Sequence, residues 1–155
     1  MANNNNAKWV SVAALVCAVI VIAVTWCTWG SVDTAFIGQT DYNGLKFVSD
    51  DLWKDIGGSE RYAAEVALIL GVLALICEAA ALYKPTVHKY TGCVTAVLLL
   101  VAFIYDCLFV AWNPMDGALL STYSVGYGAY LSLAFALIGL VCGAAEAYLG
   151  SKTAN

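Results

Sequence analysis

Four carboxyl side chains occur inside long apolar stretches of this sequence, where acidic residues are rare. They are Glu65, Glu78, Asp106 and Glu146. An ionised side chain within a bilayer costs about 2.5–3.5 kcal/mol on insertion scales, so such residues indicate a function by default. At a helical rise of about 1.5 Å per residue, Glu65 and Asp106 share one depth. Glu78 and Glu146 share a second depth near the opposite end, and the four groups could line a proton or cation path.

A structural role for these carboxylates is the alternative. None of them lies at the centre of its apolar stretch, where transport sites are usually found. Arg61 precedes Glu65 by one turn and could form an ion pair with it. Lys84 could similarly reach the two carboxylates at the other end. The missing central carboxylate favours the structural role, and Asp106, the most deeply placed on its side, is the residue most expected to matter.

The apolar stretches that contain these carboxylates are long enough to be membrane helices. The chain of 155 residues is 62% hydrophobic and only 12% charged, whereas soluble domains carry roughly 25% charged residues. About 20 apolar residues span a bilayer as a helix. Four stretches have this length, at residues 9–30, 62–83, 92–112 and 128–150. We predict an all-α integral membrane protein, a four-transmembrane-helix bundle forming a single domain at residues 9–150, with polar tails at 1–8 and 151–155.

Basic residues in the connections predict the orientation of the bundle. Lysines occur at both termini and in the short second connection, whereas residues 31–61 carry three basic and six acidic side chains. Both termini are therefore predicted to be cytoplasmic in a multi-pass plasma-membrane protein. The first stretch exceeds the usual 7–15 apolar residues of a signal peptide, so we expect a retained helix. The net charge of −4, concentrated in the first outer loop, argues against nucleic-acid binding.

The outer loop at residues 31–61 carries the signature of a small extracellular β-hairpin or sheet. Asn43-Gly44 is a strong signal for a type I′ turn, which needs positive φ at both central residues. The flanking segments TAFIGQTDY and LKFVSDDLW would supply the two strands. A lone hairpin is marginal in water, so we expect a third strand from LLSTYSVGY in the last loop, with an irregular loop as the alternative. An open strand edge could pair with a neighbouring molecule.

Two sets of residues are candidates for assembly or packing surfaces. The possible assembly surface of the hairpin consists of Phe36, Asn43, Gly44, Phe47, Leu52 and Trp53. The fourth helix carries a groove of small residues, Gly128, Ser132, Ala136, Gly139, Gly143 and Ala147. Small residues at this spacing let helices approach closely in lipid. In a four-helix protein such a groove more often packs the bundle's own core than a dimer interface.

The sequence lacks the residue combinations that most enzymes and metal sites need. His88 is the only histidine, so bis-histidine haem and histidine-based metal sites are not expected. No nucleophile–base pair or phosphate-binding glycine loop is recognisable. The six cysteines fall in the apolar stretches without a CxxC motif, which favours packing roles; a pair between Cys27 and Cys107 is left open. We predict no enzymatic activity, no cofactor and no bound metal.

The layout of the chain resembles the claudin and peripheral-myelin-protein tetraspan superfamily. The resemblance lies in four helices with cytoplasmic termini, a long first outer loop with β-character and a short second outer loop. Local similarities are Trp29-Gly30 after the first helix, NGLKF and DLW in the outer loop, which are similar to the family's Gly-Leu-Trp element, and Arg61 before an Ala-rich second helix. The family's two loop cysteines have no counterpart, so the hairpin would lack a staple of about 2–4 kcal/mol.

The resemblance implies a structural or adhesive protein that assembles laterally in the membrane. We therefore predict a membrane-organising or cell-surface structural protein that self-associates, with the lipid bilayer, copies of itself and other membrane proteins as its partners. Two alternatives come from other classes. One is a small ion or proton channel or transporter that uses the membrane carboxylates. The other is an accessory subunit of a larger membrane complex.

Overall fold

A computed structural model describes residues 2–56, 58–114 and 121–153 of the chain. Its helices and strands are α1 (Ala2–Val24), β1 (Thr28–Thr34), β2 (Gly38–Asn43), α2 (Lys46–Ser49), α3 (Asp51–Ile56), α4 (Ala63–Tyr83), α5 (His88–Ala111), β3 (Ser121–Val125) and α6 (Tyr127–Thr153). Short 3₁₀ turns, Ser59–Tyr62 and Pro85–Val87, precede α4 and α5. Four segments within these residues are long and apolar enough to cross a membrane: Asn5–Val24, Ser59–Tyr83, Pro85–Ala111 and Tyr127–Lys152. The predicted set of four membrane-length helices is confirmed.

The four long helices form a ring in which each helix packs on two neighbours, in the order α1, α4, α5 and α6. The ring has a sheet end, where β1, β2 and β3 lie, and a terminal end, where α1 begins and α6 ends.

Small residues bring the helix backbones close together. A Cβ atom on Gly92 of α5 would lie 2.6 Å from the Gly143 carbonyl oxygen of α6, and one on Gly71 of α4 would lie 2.9 Å from Ile22 of α1. Larger residues at these glycines would push the helices apart.

The small-residue groove of α6 is filled by the chain itself. Gly139 faces Leu99 of α5 and Cys17 of α1, and Gly143 faces backbone atoms of Ala96 and Gly92. Nearer the sheet end, a Cβ on the first glycine of the groove would meet the Thr28 carbonyl oxygen. The groove therefore packs the bundle's own core in this structure.

The helix limits differ from the prediction for the first stretch. Helix α1 begins at Ala2 and ends at Val24, whereas the sequence predicted a polar tail at 1–8 and a helix at 9–30. The end at Val24 has a physical cause, because the Trp29 indole N–H donates to the Val24 carbonyl at 2.7 Å and the Thr25 hydroxyl donates to the Ile22 carbonyl at 2.8 Å. Both carbonyls also accept from backbone N–H groups, of Thr25 and Cys27, so the last helical turn is tied down by side-chain and backbone bonds together. Trp29 itself already belongs to β1.

The strands form one antiparallel sheet in the order β2-β1-β3. Val32 in β1 pairs with Thr40 of β2 and with Tyr123 of β3. The third strand predicted from the last loop is confirmed for Ser121–Val125; the first two residues of the LLSTYSVGY segment lie outside the described residues. The sheet thus joins both loops at the sheet end of the bundle.

The hairpin turn lies elsewhere than predicted. β1 and β2 are joined through residues 35–37, and Gly38 is the one glycine with positive φ, at 79°, among the residues described. Asn43-Gly44 instead ends β2, and LKFVSDDLW forms α2 and α3, not a strand. The Asn43 side-chain oxygen accepts a bond of 3.0 Å from the Lys46 N–H, the pattern by which Asn favours a helix start. The prediction of a type I′ turn at Asn43-Gly44 was therefore wrong.

Candidate functional site

A polar cluster lies buried at the terminal end of the bundle, and we call it the terminal cluster. Its members are Ser11, Glu78, His88, Thr91 and Glu146. They come from all four membrane-length helices, with Ser11 on α1, Glu78 on α4, His88 and Thr91 on α5 and Glu146 on α6. The side chains of Ser11, Glu78 and Glu146 are 0% exposed and that of His88 is 2% exposed. A polar set this deeply buried needs internal partners, because water does not reach it.

Hydrogen bonds connect the terminal cluster across the helices. The Ser11 hydroxyl donates to Glu78 Oε2 at 2.5 Å. His88 Nδ1 lies 2.6 Å from Glu146 Oε1, and the Thr91 hydroxyl donates to the same oxygen at 3.2 Å. The carboxyl groups of Glu78 and Glu146 are within hydrogen-bonding reach of each other. The cluster is therefore one continuous chain of contacts from α1 to α5.

Three buried atoms of the terminal cluster have no donor or acceptor in the described part of the chain. They are Glu78 Oε1, His88 Nε2 and Glu146 Oε2. Leaving a buried polar atom unsatisfied costs about 1–3 kcal/mol. These atoms are where the cluster could take up a proton or another small polar partner.

The predicted carboxylates fall into three environments. Glu78 and Glu146 meet in the terminal cluster, as their shared depth predicted. Asp106 is buried in the half of the bundle nearer the sheet, where Oδ2 accepts a bond of 2.7 Å from the Ser132 hydroxyl and Oδ1 has no partner in the described residues. Glu65 is partly exposed in the first turn of α4. The four carboxylates therefore do not line one site.

The ion pairs expected for these carboxylates are replaced by other contacts. Arg61 donates to the Trp53 carbonyl at 3.2 Å, and its guanidinium lies over the Tyr62 ring, 4.6 Å from the centroid. Glu146 pairs with His88 and not with Lys84, whose side chain is exposed. A buried histidine thus takes the role that the sequence assigned to a surface lysine.

His88 is the member of the terminal cluster that the sequence reasoning missed, because the predicted helix limits left it in the connection between residues 83 and 92. The structure starts α5 at His88, and the buried face of this helix continues through Gly92, Thr95, Leu99, Ala102, Asp106 and Phe109. These positions repeat every three or four residues, the period of a helix face. Extending that period backwards from Asp106 would have placed His88 in the core. Ser11 and Thr91 carry no comparable signal, because single hydroxyl residues are common in membrane helices.

Seven aromatic side chains form a second buried cluster under the sheet. This aromatic cluster consists of Trp29, Tyr42, Phe47, Trp53, Phe109, Trp112 and Tyr123. The Phe47 and Trp53 ring centroids are 4.6 Å apart, and the Phe47 ring meets that of Phe109 on α5 at 5.1 Å. Aromatic pairs at such distances contribute about 0.5–1.5 kcal/mol each beyond their buried area. The cluster therefore attaches the sheet to the bundle with no disulfide bond, since all six cysteines are free.

The aromatic cluster corrects the predicted assembly surface. Phe47 and Trp53 are fully buried, so they face the bundle and not a neighbouring molecule. Gly44 is buried against Ala64, and Asn43 is half-buried where its side-chain oxygen accepts from the Lys46 N–H. The Leu52 side chain lies outside the described part of the structure. Of the six predicted contact residues, only Phe36 is described as fully open to contact.

Burial also raises the pKa values of the two tyrosines in the aromatic cluster. Desolvation raises the pKa of the Tyr123 phenol well above its usual range, and nearby Tyr130 adds to the shift. Desolvation, followed by the charge of Asp50, raises the pKa of Tyr42. Both hydroxyls therefore stay protonated at physiological pH, and the aromatic cluster carries no negative charge of its own.

The tip of the β1–β2 hairpin carries two large apolar side chains in the open. We call residues 35–37 the hairpin tip; Phe36 is 86% exposed and Ile37 is 83% exposed. The tip stands at the sheet end of the bundle and belongs to none of the four membrane-length helices. The following strand, β2, is polar and exposed from Gly38 to Asp41. An apolar pair beside a polar, exposed edge strand is a feature of contact surfaces.

The described residues form neither a metal-binding group nor a disulfide bond. No group of three or more His, Cys, Asp or Glu side chains in that part of the chain could hold a metal ion. All six cysteines are free thiols, so Cys27 and Cys107 are not paired in this structure.

The resemblance to the claudin superfamily rests on layout and stays a prediction. Four membrane-length helices and a sheet built from both loops agree with that layout, whereas α2 and α3 occupy the part of the outer loop predicted as a strand. Neither the comparison with protein-family models nor the comparison with curated proteins finds a significant match for this chain.

Proposed function

We propose that this protein is a membrane-organising, cell-surface tetraspan protein that associates laterally with copies of itself through its sheet. The observation that carries the proposal is the hairpin tip, where Phe36 and Ile37 are 86% and 83% exposed. The outer loop buries its other described large aromatic side chains in the aromatic cluster. Two exposed apolar residues at the turn of the hairpin are best explained by a contact with another molecule that covers them.

A second copy of the chain is the partner that suits this surface best. Copies inserted in one bilayer with one orientation hold their sheets at the same height, so their edge strands can meet side by side. β2 and β3 are the two edges of the described sheet. β3 carries no charge, whereas β2 carries Asp41. Pairing β2 of one copy with β3 of the next keeps the Asp41 residues apart and extends the assembly in a row.

The channel alternative has weaker support. Between the Asp106–Ser132 pair and the terminal cluster, the bundle is filled mainly by Ala18, Ala74 and Leu99, with leucines packed around them. Thr91, the cluster residue nearest Asp106 on α5, lies 15 positions from it, which corresponds to roughly 22 Å of helix. Thr95 is the buried hydroxyl residue on this face of α5 between them. A mostly apolar layer supports a structural bundle more than a conducting one. An accessory-subunit role is compatible with the same surface, with another membrane protein in place of the second copy.

A double variant of the hairpin tip tests the proposal. Phe36→Ser with Ile37→Ser removes the apolar contact but leaves the aromatic cluster in place. Because burying each such side chain is worth roughly 1.5–3 kcal/mol, we expect self-association to weaken at least about tenfold per residue. Oligomer fraction is measured by single-molecule photobleaching in lipid vesicles over a range of protein-to-lipid ratios.

The matched control is Thr40→Ser, an exposed position on the same hairpin that removes a single methyl group. It should leave the oligomer fraction unchanged. A wild-type protein that stays monomeric at all ratios, or a double variant that assembles like the wild type, would refute self-association through the tip. Assembly only in the presence of a second membrane protein would favour the accessory-subunit role.

A further inference from the structure

The terminal cluster contains two carboxyl groups that the surrounding helices do not neutralise individually. Glu78 and Glu146 are both fully buried and within hydrogen-bonding reach of each other. Ser11 and Thr91 donate to one oxygen of each group, Glu78 Oε2 and Glu146 Oε1. The two remaining oxygens, Glu78 Oε1 and Glu146 Oε2, have no donor in the described chain. An ionised carboxylate only accepts hydrogen bonds, so these two groups cannot bond each other unless one carries a proton.

We propose that Glu78 and Glu146 form a proton-binding site at the terminal end of the bundle, in which the two carboxyl groups share one proton and His88 holds Glu146 in position. One proton between the two carboxyl groups turns a repulsive pair into a donor and an acceptor, as in other sites where two carboxylates share a position. It would also satisfy both orphaned oxygens. This site is independent of the hairpin tip, so it does not rest on the self-association proposed above.

A proton fits this site better than a metal ion. A metal would need three or more ligands directed to one point, and no such group of His, Cys, Asp or Glu exists in the residues described. The other titratable side chains near the site are Cys77 on α4 and Cys142 on α6, which lie close enough to feel the charge of Glu78. The lysines of this end are exposed side chains. The pair and His88 are therefore the groups that hold charge inside the cluster.

His88 holds one side of the pair in place. Its Nδ1 lies 2.6 Å from Glu146 Oε1, and its Nε2 is buried without a partner in the described residues. A neutral imidazole with its hydrogen on Nδ1 donates to Oε1, as the Thr91 hydroxyl does. Glu146 Oε2 is then the oxygen left to share the proton with Glu78.

Infrared spectroscopy of the protein in lipid nanodiscs tests the site directly. A protonated carboxyl group gives a C=O stretching band that an ionised one lacks. We use an Asp106→Asn background, because Asp106 is a second buried carboxyl group. The band should be present at neutral pH and disappear reversibly as the pH is raised. Glu78→Gln should abolish it, because Glu146 is then left with His88 alone.

Two matched controls separate this result from a general effect. Glu65→Gln removes a partly exposed carboxyl group from the same helix as Glu78 and should leave the band unchanged. Lys84→Asn removes an exposed charge at the same end of the bundle and should also leave the band unchanged.

The result that overturns the proposal is an Asp106→Asn protein with no such band at neutral pH, or a band that persists at neutral pH in a folded Glu78→Gln variant of that protein. Circular dichroism and a single elution peak establish that each variant is folded. Where the Glu78→Gln protein does not fold, the pH titration in the Asp106→Asn background decides the question, because a missing band there refutes the shared proton.

Discussion

At the scale of single residues, hydroxyl groups join the helices by satisfying buried carboxylates. Ser11 on α1 donates to Glu78 on α4, and Ser132 on α6 donates to Asp106 on α5. Each bond crosses between helices that are neighbours in the ring. Interhelical hydrogen bonds in membranes contribute modestly, on average about 0.6 kcal/mol, but these two also prevent a carboxyl oxygen from being buried without a partner.

The Ser11 contact gives a prediction for stability. Ser11→Ala should lower the free energy of unfolding by about 1–3 kcal/mol, because it leaves Glu78 with no hydroxyl donor in the core. Ser151→Ala is the control, since the Ser151 hydroxyl donates within its own helix to the Tyr148 carbonyl, and its effect should stay within about 0.5 kcal/mol. Unfolding is followed by circular dichroism during titration of mixed micelles with a denaturing detergent. Equal effects of the two substitutions would mean that the Ser11 bond adds no stability.

The sequence located the buried carboxylates but not their partners. Glu78 and Glu146 stand out because acidic residues are rare in apolar stretches, and their depth follows from helical rise. Whether they pair with Lys84 or with His88 depends on where α5 begins and on how each helix is rotated. One sequence gives no direct measure of rotation when small apolar residues occur all round a helix. The histidine therefore became visible as a partner only with the helices in place.

At the scale of elements, the outer loop shows how tertiary packing overrides a local turn signal. Asn43-Gly44 has the composition of a two-residue hairpin turn, yet Gly44 has ordinary negative φ. A glycine is needed there for space, because a Cβ atom would lie 2.4 Å from the Ala64 Cβ and 3.0 Å from the Thr25 carbonyl oxygen. The segment that follows coils into α2 and α3, and both short helices direct an aromatic ring into the aromatic cluster. The membrane helices and the third strand were predictable from hydropathy and β-propensity, whereas this packing was not.

Glycine allows a positive φ at Gly38 and provides space at Gly44. Asparagine substitutions at the two positions separate these roles. Asparagine tolerates positive φ, so Gly38→Asn should change stability by less than about 1 kcal/mol, since φ at Gly38 is 79° and no atom lies within 4 Å of a Cβ there. Gly44→Asn should cost about 1–3 kcal/mol by overpacking against Ala64. The measurement is the unfolding transition of the sheet end, followed by tryptophan fluorescence. If Gly44→Asn were tolerated as well as Gly38→Asn, the close packing at Gly44 would be wrong.

At the scale of the whole molecule, the two ends of the bundle differ in chemistry. The sheet end is attached by rings and presents an apolar tip, and the terminal end encloses carboxyl groups and a histidine. Between them lies a layer made mostly of alanine and leucine. We infer that contact with neighbours belongs to one end and proton binding to the other, so the two properties can be lost separately by substitution.

Because the two ends of the bundle differ, labelling each end tests the orientation of the protein in the membrane. Basic residues at the terminal end predict that it faces the cytoplasm. Thr40→Cys on β2 and Thr86→Cys between α4 and α5 are both exposed positions at opposite ends. A membrane-impermeant maleimide added to intact cells should label Thr40→Cys and leave Thr86→Cys unlabelled until the cells are permeabilised. The unsubstituted protein, with its own free cysteines, gives the background.

A third variant, Lys152→Cys, tests the number of membrane crossings independently of the orientation. Because α5 and α6 each cross once, Thr86 and Lys152 should always be labelled together, whichever side they face. Labelling of Thr86→Cys and Lys152→Cys in intact cells, without labelling of Thr40→Cys, would reverse the orientation and place the hairpin tip in the cytoplasm. Labelling of Thr86→Cys and Lys152→Cys from opposite sides would contradict the four-helix crossing, because two crossings, those of α5 and α6, lie between these positions.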